Sequence, residues 1–218
     1  MDSDVLTNVV ASITATTTNQ SHDAEEAARA KIAVKAAHIE RCIREAGYDP
    51  DTYRPDWNAL LPAFMACVAR HARGILLRGG TGCGKTTFLR AVQRVCRPGG
   101  VHYIDCQQAA TLEYLDWPET PAILARNAFV LLDDMGTDEV AHVYGERRDR
   151  IARLILDWDR WPAQFGTNSA MLIVATNLTG SQINERYGDR ITSRLCNLKF
   201  VLLNAPDARM QRHMETTP

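Results

Sequence analysis

The stretch of the sequence with the clearest potential for chemistry is glycine-rich: RGGTGCGKTTF, at residues 78–88. It contains the spacing G-x-x-x-x-G-K-[ST], directly after the apolar run GILL and directly before the helical pattern KTTFLRAVQRV. In this pattern, backbone N–H groups converge on a phosphate chain, the lysine neutralises the β and γ phosphates, and the next hydroxyl ligates Mg²⁺. We therefore predict a nucleotide site. Its contact residues are Gly79, Gly80, Thr81, Gly82, Cys83, Gly84, Lys85, Thr86 and Thr87.

Two adjacent carboxylates follow another apolar run, in FVLLDDMG. Side chains alternate along a strand, so one carboxylate can meet the metal shell while its neighbour polarises an attacking water from another angle. We assign Asp133 to Mg²⁺, together with Thr86, and Asp134 to the water. This arrangement predicts triphosphate hydrolysis rather than binding alone.

Further polar residues follow the next apolar run, in VATNL and RYGDRITSRL. Asn177 can hold a water and a γ-phosphate oxygen together without adding negative charge. Arg190 and Arg194 are four residues apart, so on a helix they would share a face and could reach a neighbouring subunit. Arginines at this spacing, Arg186 among them, also occur simply as solvated surface, and their pattern alone leaves both interpretations open.

The elements that would position these residues alternate in type beyond residue 73. Short apolar runs predict five buried strands, and helical patterns at 85–95 and 146–161 lie between them. Such alternation predicts an α/β fold with a parallel sheet and helices on both faces. The predicted strands are residues 74–78, 101–105, 129–133, 171–176 and 199–203.

The chain before this sheet divides into two further parts. Residues 1–22 are rich in Ser, Thr and Asn and predict a mobile arm. Residues 23–55 predict a helix that starts with acids and stops at Gly47, followed by a linker broken by two prolines. We expect this part to bind a partner or to pack on the remainder. Residues 56–218 form the predicted nucleotide domain, with Asp56 capping its first helix.

Composition narrows the function classes. The 218 residues carry a formal net charge of −1, which argues against broad, charge-driven coating of nucleic acid or membrane. Six cysteines without CxxC spacing predict reduced thiols. The sequence holds no apolar run near the roughly 20 residues of a membrane span, and its start does not resemble a signal peptide. We expect a cytoplasmic protein with no membrane partner.

Together these motifs resemble the AAA+ ATPases of the DnaC and IstB group, which are helicase loaders and transposition helper ATPases. The resemblance runs over residues 57–210 and implies an ATPase with ATP and Mg²⁺ as cofactors. It implies that Asn177 is sensor 1, Arg194 the arginine finger acting on an adjacent protomer, and Arg209 sensor 2. The matching stretches are GGTGCGKTT, VLLDDMG, RIARLILDWDRW, VATNL, YGDRITSRL and NAPDAR.

The sequence also departs from this group. Family members usually carry GPPGTGKT where this chain has GGTGCGKT, a change that keeps the required glycine, lysine and threonine positions. About fifteen residues follow the last predicted strand, so we predict no C-terminal helical lid. Loaders of the DnaC type share that truncation.

The resemblance implies self-association into a ring or spiral through the ATP sites, and a replicative helicase as the partner. It also implies single-stranded DNA in the central channel, although residues 107–127 contain Arg126 as their only cation. An IstB-like transposition helper with a transposase partner, a non-hydrolysing ATP-dependent switch and a small-molecule kinase are alternatives. The paired aspartates and Asn177 argue against the switch, and no substrate pocket or lid is evident for the kinase.

Overall fold

A computed structural model of the protein describes most of the chain from residue 57 to residue 204 and a few positions before it. Three predictions fall outside the described residues: the mobile arm at 1–22, the linker before residue 56, and the role of Arg209. The predicted absence of a C-terminal lid also concerns residues outside the described ranges, after residue 204. The described residues are 34, 37–38, 41–42, 44–45, 57–68, 71–96, 100–109, 119–138, 141–143, 146–165 and 170–204.

Five parallel strands form the central sheet in the order β2-β3-β6-β1-β7. Every neighbouring pair in this sheet is parallel, and each predicted strand is present. The predicted α/β fold class is therefore confirmed. The strands are β1 (Gly74–Gly79), β2 (Val101–Asp105), β3 (Phe129–Met135), β6 (Met171–Thr176) and β7 (Lys199–Leu203). The prediction that all five are buried is wrong for β7, which exposes Phe200 and Leu202 because it lies at the edge of the sheet.

Helices cover both faces of this sheet because side chains of successive strand residues point to opposite faces. Ile75 and Leu77 belong to one apolar cluster with α1 and α2, whereas Leu76 belongs to a second cluster that contains most of the buried face of α5. The helices are α1 (Trp57–Val68), α2 (Lys85–Val95), α3 (Cys106–Ala109), α4 (Glu119–Arg126), α5 (Arg150–Phe165), α6 (Gly180–Tyr187) and α7 (Asp189–Leu195).

A small antiparallel pair, β4 (Ala141–Val143) and β5 (Glu146–Arg148), precedes α5. We predicted a helix from residue 146, but the first three residues of that stretch form β5. The helix begins later because the carboxylate of Asp149 accepts a hydrogen bond from the backbone N–H of Ala152 at 2.9 Å, as an N-cap does.

The C-terminal part of the predicted N-terminal helix packs on the nucleotide domain. Arg41, Cys42, Arg44 and Glu45 are helical. Cys42 is 3% exposed and belongs to the same apolar cluster as Leu60 and other residues of α1, and its carbonyl accepts a hydrogen bond from the guanidinium of Arg94 at 3.4 Å. A separate unit, residues 1–38, contributes only three described residues, at 34, 37 and 38, and all three are helical.

The parallel arrangement gives the sheet two different edges. We call the C-terminal ends of the five strands the carboxyl edge and their N-terminal ends the amino edge. Ligands of open α/β sheets bind outside the carboxyl ends of the strands.

No helix within the described residues is long and apolar enough to cross a membrane, and all six cysteines are free thiols.

Candidate nucleotide site

The glycine-rich loop, residues 79–86, connects the end of β1 with the start of α2 at the carboxyl edge. Gly84 caps α2 with a φ of 92°, a left-handed conformation that favours glycine. A Cβ atom on Gly79 would lie 2.5 Å from the carbonyl oxygen of Leu203 in β7. Gly82 also has a positive φ, of 74°. Three of the predicted glycines are therefore required by backbone geometry, two by their φ and one by close approach to a strand.

The ammonium of Lys85 lies inside this loop, and the residue is only 5% exposed. It donates hydrogen bonds to the carbonyl oxygens of Gly79 and Gly80, both at 2.8 Å, and to Oδ1 of Asn177 at 2.6 Å. The structure thus joins two predicted site residues that are 92 positions apart in the chain. The fourth partner of the ammonium is the Sγ of Cys83 at 3.7 Å. No carboxylate is among these four partners, so the buried positive charge can attract an anion such as a phosphate.

The carboxylate of Asp133, at the end of β3, is buried next to the start of α2. Its Oδ1 accepts hydrogen bonds from the Thr86 hydroxyl and from the backbone N–H of Asp134, both at 3.1 Å. A hydroxyl and a carboxylate are oxygen donors of the kind that Mg²⁺ prefers. Their separation of 3.1 Å is close to that of adjacent ligands around an ion with bonds of about 2.0–2.1 Å. The two residues predicted to hold the metal therefore fit it.

The strand does not alternate regularly at the paired aspartates. Leu132 pairs with Val174 and Met135 with Thr176, so β3 has one extra residue here, as in a β-bulge. Asp134 occupies this irregularity with a φ of 51°, and it is the only described non-glycine residue with a positive φ. Its carbonyl accepts hydrogen bonds from the N–H of Thr137 at 3.1 Å and from the Thr137 hydroxyl at 2.7 Å. The paired aspartates therefore lie in a bulge and not in a regularly alternating strand.

Tyr103 is a site residue that sequence reasoning missed. It lies on β2, next to β3, and its phenol donates a short hydrogen bond to Oδ2 of Asp133. Burial, followed by the hydrogen bond to Asp133, raises the pKa of Tyr103 far above its ordinary value, so the phenol keeps its proton. The only sequence signal was a tyrosine in the strand that precedes the paired aspartates, which is too common to single out.

Asp138 organises the turn after β3 and has none of the predicted site residues as a hydrogen-bond partner in the part of the chain that the structure describes. Its carboxylate accepts a hydrogen bond from the N–H of Gly136 at 3.1 Å and a short one from the phenol of Tyr187. The guanidinium of Arg186 donates to the Asp138 carbonyl at 2.6 Å and lies 3.8 Å from a carboxylate oxygen of Asp149. Arg186 is therefore held within its own chain, where it ties α6 to the turn after the paired aspartates.

Arg194 lies at the amino edge of the sheet, far from the loop. Its Nη1 donates to the carbonyl of Arg190 at 2.6 Å. Its Nε lies 3.1 Å from Oδ2 of Asp159, an ion pair whose N–H is not aligned for a hydrogen bond. Oδ1 of the same carboxylate accepts a hydrogen bond from Arg73 at 3.2 Å.

The cluster of Arg73, Asp159 and Arg194 lies next to the first residues of two strands, β1 and β6. Arg73 immediately precedes β1, and its guanidinium lies 4.3 Å from the ring centroid of Trp158. The Trp158 indole N–H donates to the carbonyl of Ala170, immediately before β6, at 2.8 Å. The six residues of β1 separate this edge from the loop by about 20 Å, at about 3.3 Å per residue. Arg194 is too far from its own loop to touch a phosphate bound there.

The remaining candidate site residues are two arginines. Arg190 is exposed, and Arg209 is not among the described residues. Within the described ranges, no group of three or more His, Cys, Asp and Glu side chains forms a metal site of its own.

The loop between β1 and α2, the carboxylate at the end of β3 and the amide at the end of β6 lie at one edge of a parallel sheet with the order β2-β3-β6-β1-β7. A strand, a loop with this spacing and a helix in that order have the form of a P-loop nucleotide-binding fold. The α/β fold with a five-stranded parallel sheet was predicted from the sequence, and the structure confirms it.

Comparisons with known proteins gave solved structures only; no protein-family model and no curated protein sequence matches the chain. AMPPCP-bound DnaA from Aquifex aeolicus is similar with a TM-score of 0.46 and 19% identity over 71% of this chain and 48% of that one. A replication initiator DnaA bound to AMPPCP and single-stranded DNA gives 0.47 and 16% over 74% and 51%. Domain III of Thermotoga maritima DnaA gives 0.43 and 18% over 70% and 64%. The chain thus spans about half the length of the first two.

Proposed function

We propose that this protein binds ATP with Mg²⁺ and hydrolyses it. The observation that carries the proposal is the meeting of Lys85, Thr86, Asp133 and Asn177 at one edge of the sheet, although they come from three separate places in the chain. A buried ammonium lined by neutral oxygens suits a phosphate chain, and the hydroxyl and carboxylate pair suits the metal that accompanies it.

Each residue has a role in this reaction. Lys85 would give up its hydrogen bond to Asn177 and bind the β and γ phosphates instead. Asn177 would then be able to hold the attacking water and a γ-phosphate oxygen. Asp134, which lies in the bulge, would polarise that water. Thr86 and Asp133 would hold Mg²⁺, which supplies neutralisation of charge on the phosphate oxygens.

Hydrolysis would be completed by Arg194 of a neighbouring copy. The position of Arg194 at the amino edge supports this, since that arginine is about 20 Å from its own loop along β1. The protein would therefore assemble into a ring or spiral in which each loop meets the amino edge of the next copy. We also propose Arg209 as sensor 2, on the resemblance alone.

The biological task that we propose is loading or remodelling of a replicative helicase. Its support is the resemblance of the motifs to the DnaC and IstB group, and transposition helper ATPases are the second candidate from the same resemblance. The two predict different captured partners, a helicase or a transposase. A non-hydrolysing switch is the third candidate, and it predicts no phosphate release in any assembly. Single-stranded DNA in the assembled channel is a further proposal from the same resemblance.

Residues 23–55 are our proposed partner-binding segment. Val34 is helical and 70% exposed, so its apolar side chain can contact another protein. Truncation before Tyr53 would be a poor test because it removes Cys42 from the apolar cluster. Val34→Glu leaves that cluster intact and should abolish capture of the helicase while ATP binding is unchanged.

The hydrolysis proposal is tested with the full-length protein by phosphate release at increasing protein concentration, with and without Mg²⁺. We expect turnover per subunit to rise with concentration as the trans sites form, and to vanish in EDTA. Turnover that is independent of concentration would contradict the trans site, and tight ATP binding with no turnover in an assembled state would favour the switch. Co-purification from the native host then separates helicase from transposase.

A further inference from the structure

The two oxygens of the Asp133 carboxylate have different partners. Oδ1 faces the Thr86 hydroxyl and the backbone N–H of Asp134, each at 3.1 Å. Oδ2 accepts the short hydrogen bond from the phenol of Tyr103. The carboxylate is therefore gripped from two sides, and only Oδ1 is directed toward the loop.

The tyrosine ring is itself held by the helix that starts at the loop. The guanidinium carbon of Arg90 lies 3.7 Å from the ring centroid of Tyr103, the geometry of a cation–π contact. Arg90 and Thr86 are four residues apart on α2 and so lie on the same face of that helix. One face of α2 thus presents the hydroxyl to Oδ1 and covers the tyrosine that binds Oδ2.

We infer that Tyr103 is a positioning residue for the metal ligand, which fixes the Asp133 carboxylate so that Oδ1 stays directed at the Thr86 hydroxyl. This inference rests on the proposed binding of an Mg²⁺ nucleotide. The buried carboxylate would otherwise be free to rotate about its terminal torsion, which is broad for aspartate. Partners of a ligating carboxylate typically contribute 10–100-fold to metal affinity or activity.

The test is Tyr103→Phe, which removes the hydroxyl and keeps the ring beneath Arg90. Binding of a non-hydrolysable ATP analogue is measured by calorimetry in EDTA and over a range of Mg²⁺ concentrations. We expect unchanged affinity in EDTA and a half-saturating Mg²⁺ concentration that rises by about 10–100-fold. This readout does not depend on turnover.

Tyr187→Phe is the matched control. It removes the same hydroxyl from another buried carboxylate, Asp138, next to the same strand, so it reproduces the general cost of the change without touching Asp133. Its half-saturating Mg²⁺ concentration should equal that of the unaltered protein. An equal rise in both variants would reduce Tyr103 to a structural role and overturn the inference.

Arg90→Met is the second variant, and because Arg90 is exposed, it should fold whatever happens to the tyrosine variant. It loosens the ring without removing the hydroxyl, so we expect a rise of a few-fold in the same Mg²⁺ titration. A tyrosine variant with normal Mg²⁺ dependence would overturn the inference and leave the nucleotide site standing. Absence of nucleotide binding by the unaltered protein would instead remove the proposed function and this inference together.

Discussion

The two edges of the sheet use buried or half-buried cations in opposite ways. At the carboxyl edge, Lys85 is surrounded by neutral oxygens from the loop and Asn177. At the amino edge, Arg73 and Arg194 share one carboxylate, that of Asp159. A cation with neutral partners keeps its charge available for an anionic ligand, whereas the two arginines are partly neutralised by the one carboxylate that they share.

This difference separates binding from completion of the reaction. In the mechanism that we propose, a phosphate chain would gain a full ionic contact on replacing a neutral oxygen at Lys85, so the carboxyl edge would bind nucleotide in a single copy. Arg194 would keep or share its contact with Asp159 while it reaches a neighbour, so the amino edge would contribute only in an assembly. Substitutions at the two edges should therefore fail in different assays.

The largest effect is expected for Arg194→Ala. A finger arginine is worth about 10³–10⁵ in rate, so turnover should fall by at least about 10³ while ATP affinity stays unchanged. Arg190→Ala is the control, since Arg190 lies one turn earlier on the same helix and is exposed. Phosphate release and nucleotide binding are measured on both.

Mixing subunits distinguishes the two edges directly. Arg194→Ala keeps an intact loop and Lys85→Ala keeps an intact arginine, so a mixture should recover part of the lost turnover. Equal defects in the mixture and in the separate variants would show that the two edges do not meet across subunits.

Lys85→Ala should weaken ATP binding by about 100-fold, or about 2.7 kcal/mol, because it removes the charge-assisted contact to the phosphates. Lys199→Ala removes an exposed lysine at the start of β7, on the amino edge, and should bind ATP normally. Calorimetric titration with ATP and Mg²⁺ measures the difference. Unchanged affinity in a folded Lys85→Ala protein would refute the nucleotide site.

Trp158→Phe should lower the free energy of unfolding by about 2 kcal/mol. The fully buried indole loses its hydrogen bond to the Ala170 carbonyl, which is left without that donor, and the smaller ring leaves a gap. Urea unfolding provides the measurement, and ATP affinity of the folded variant should be normal. A loss of affinity without a loss of stability would contradict the separation of the two edges.

Asp159→Asn should lower turnover by about tenfold, or about 1.4 kcal/mol, because Arg194 loses the charge that anchors its Nε. Asp157→Asn is the matched control on the same helix, since Asp157 pairs with Arg153 instead. The defect should be relieved by mixing with Lys85→Ala, as for Arg194→Ala. An increase in turnover would show that Asp159 restrains the arginine rather than positions it.

Much of the fold could be predicted because its signals are local. Each of the five strands is a short apolar run with turn or helix signals on either side, and the strands inside the sheet, which are buried on both faces, require such runs. Glycines at 79 and 84 were predictable because the spacing that binds phosphate also demands special backbone geometry. The hairpin before α5 was missed because the same residues form a good helical pattern, and only the cap at Asp149 shows where the helix begins.

The sequence by itself therefore determined the class of fold, the loop and the carboxylate at the end of β3, since each depends on neighbouring residues in the chain. Tertiary structure decided which distant groups meet. The contact of Lys85 with Asn177 spans 92 positions, and that of Tyr103 with Asp133 depends on the adjacency of β2 and β3. Placement of Arg194 on the edge opposite the loop follows from the direction of the strands and the shared carboxylate of Asp159. The identity of a side chain determines which chemistry it can perform, but the packing of the chain determines which groups it can contact.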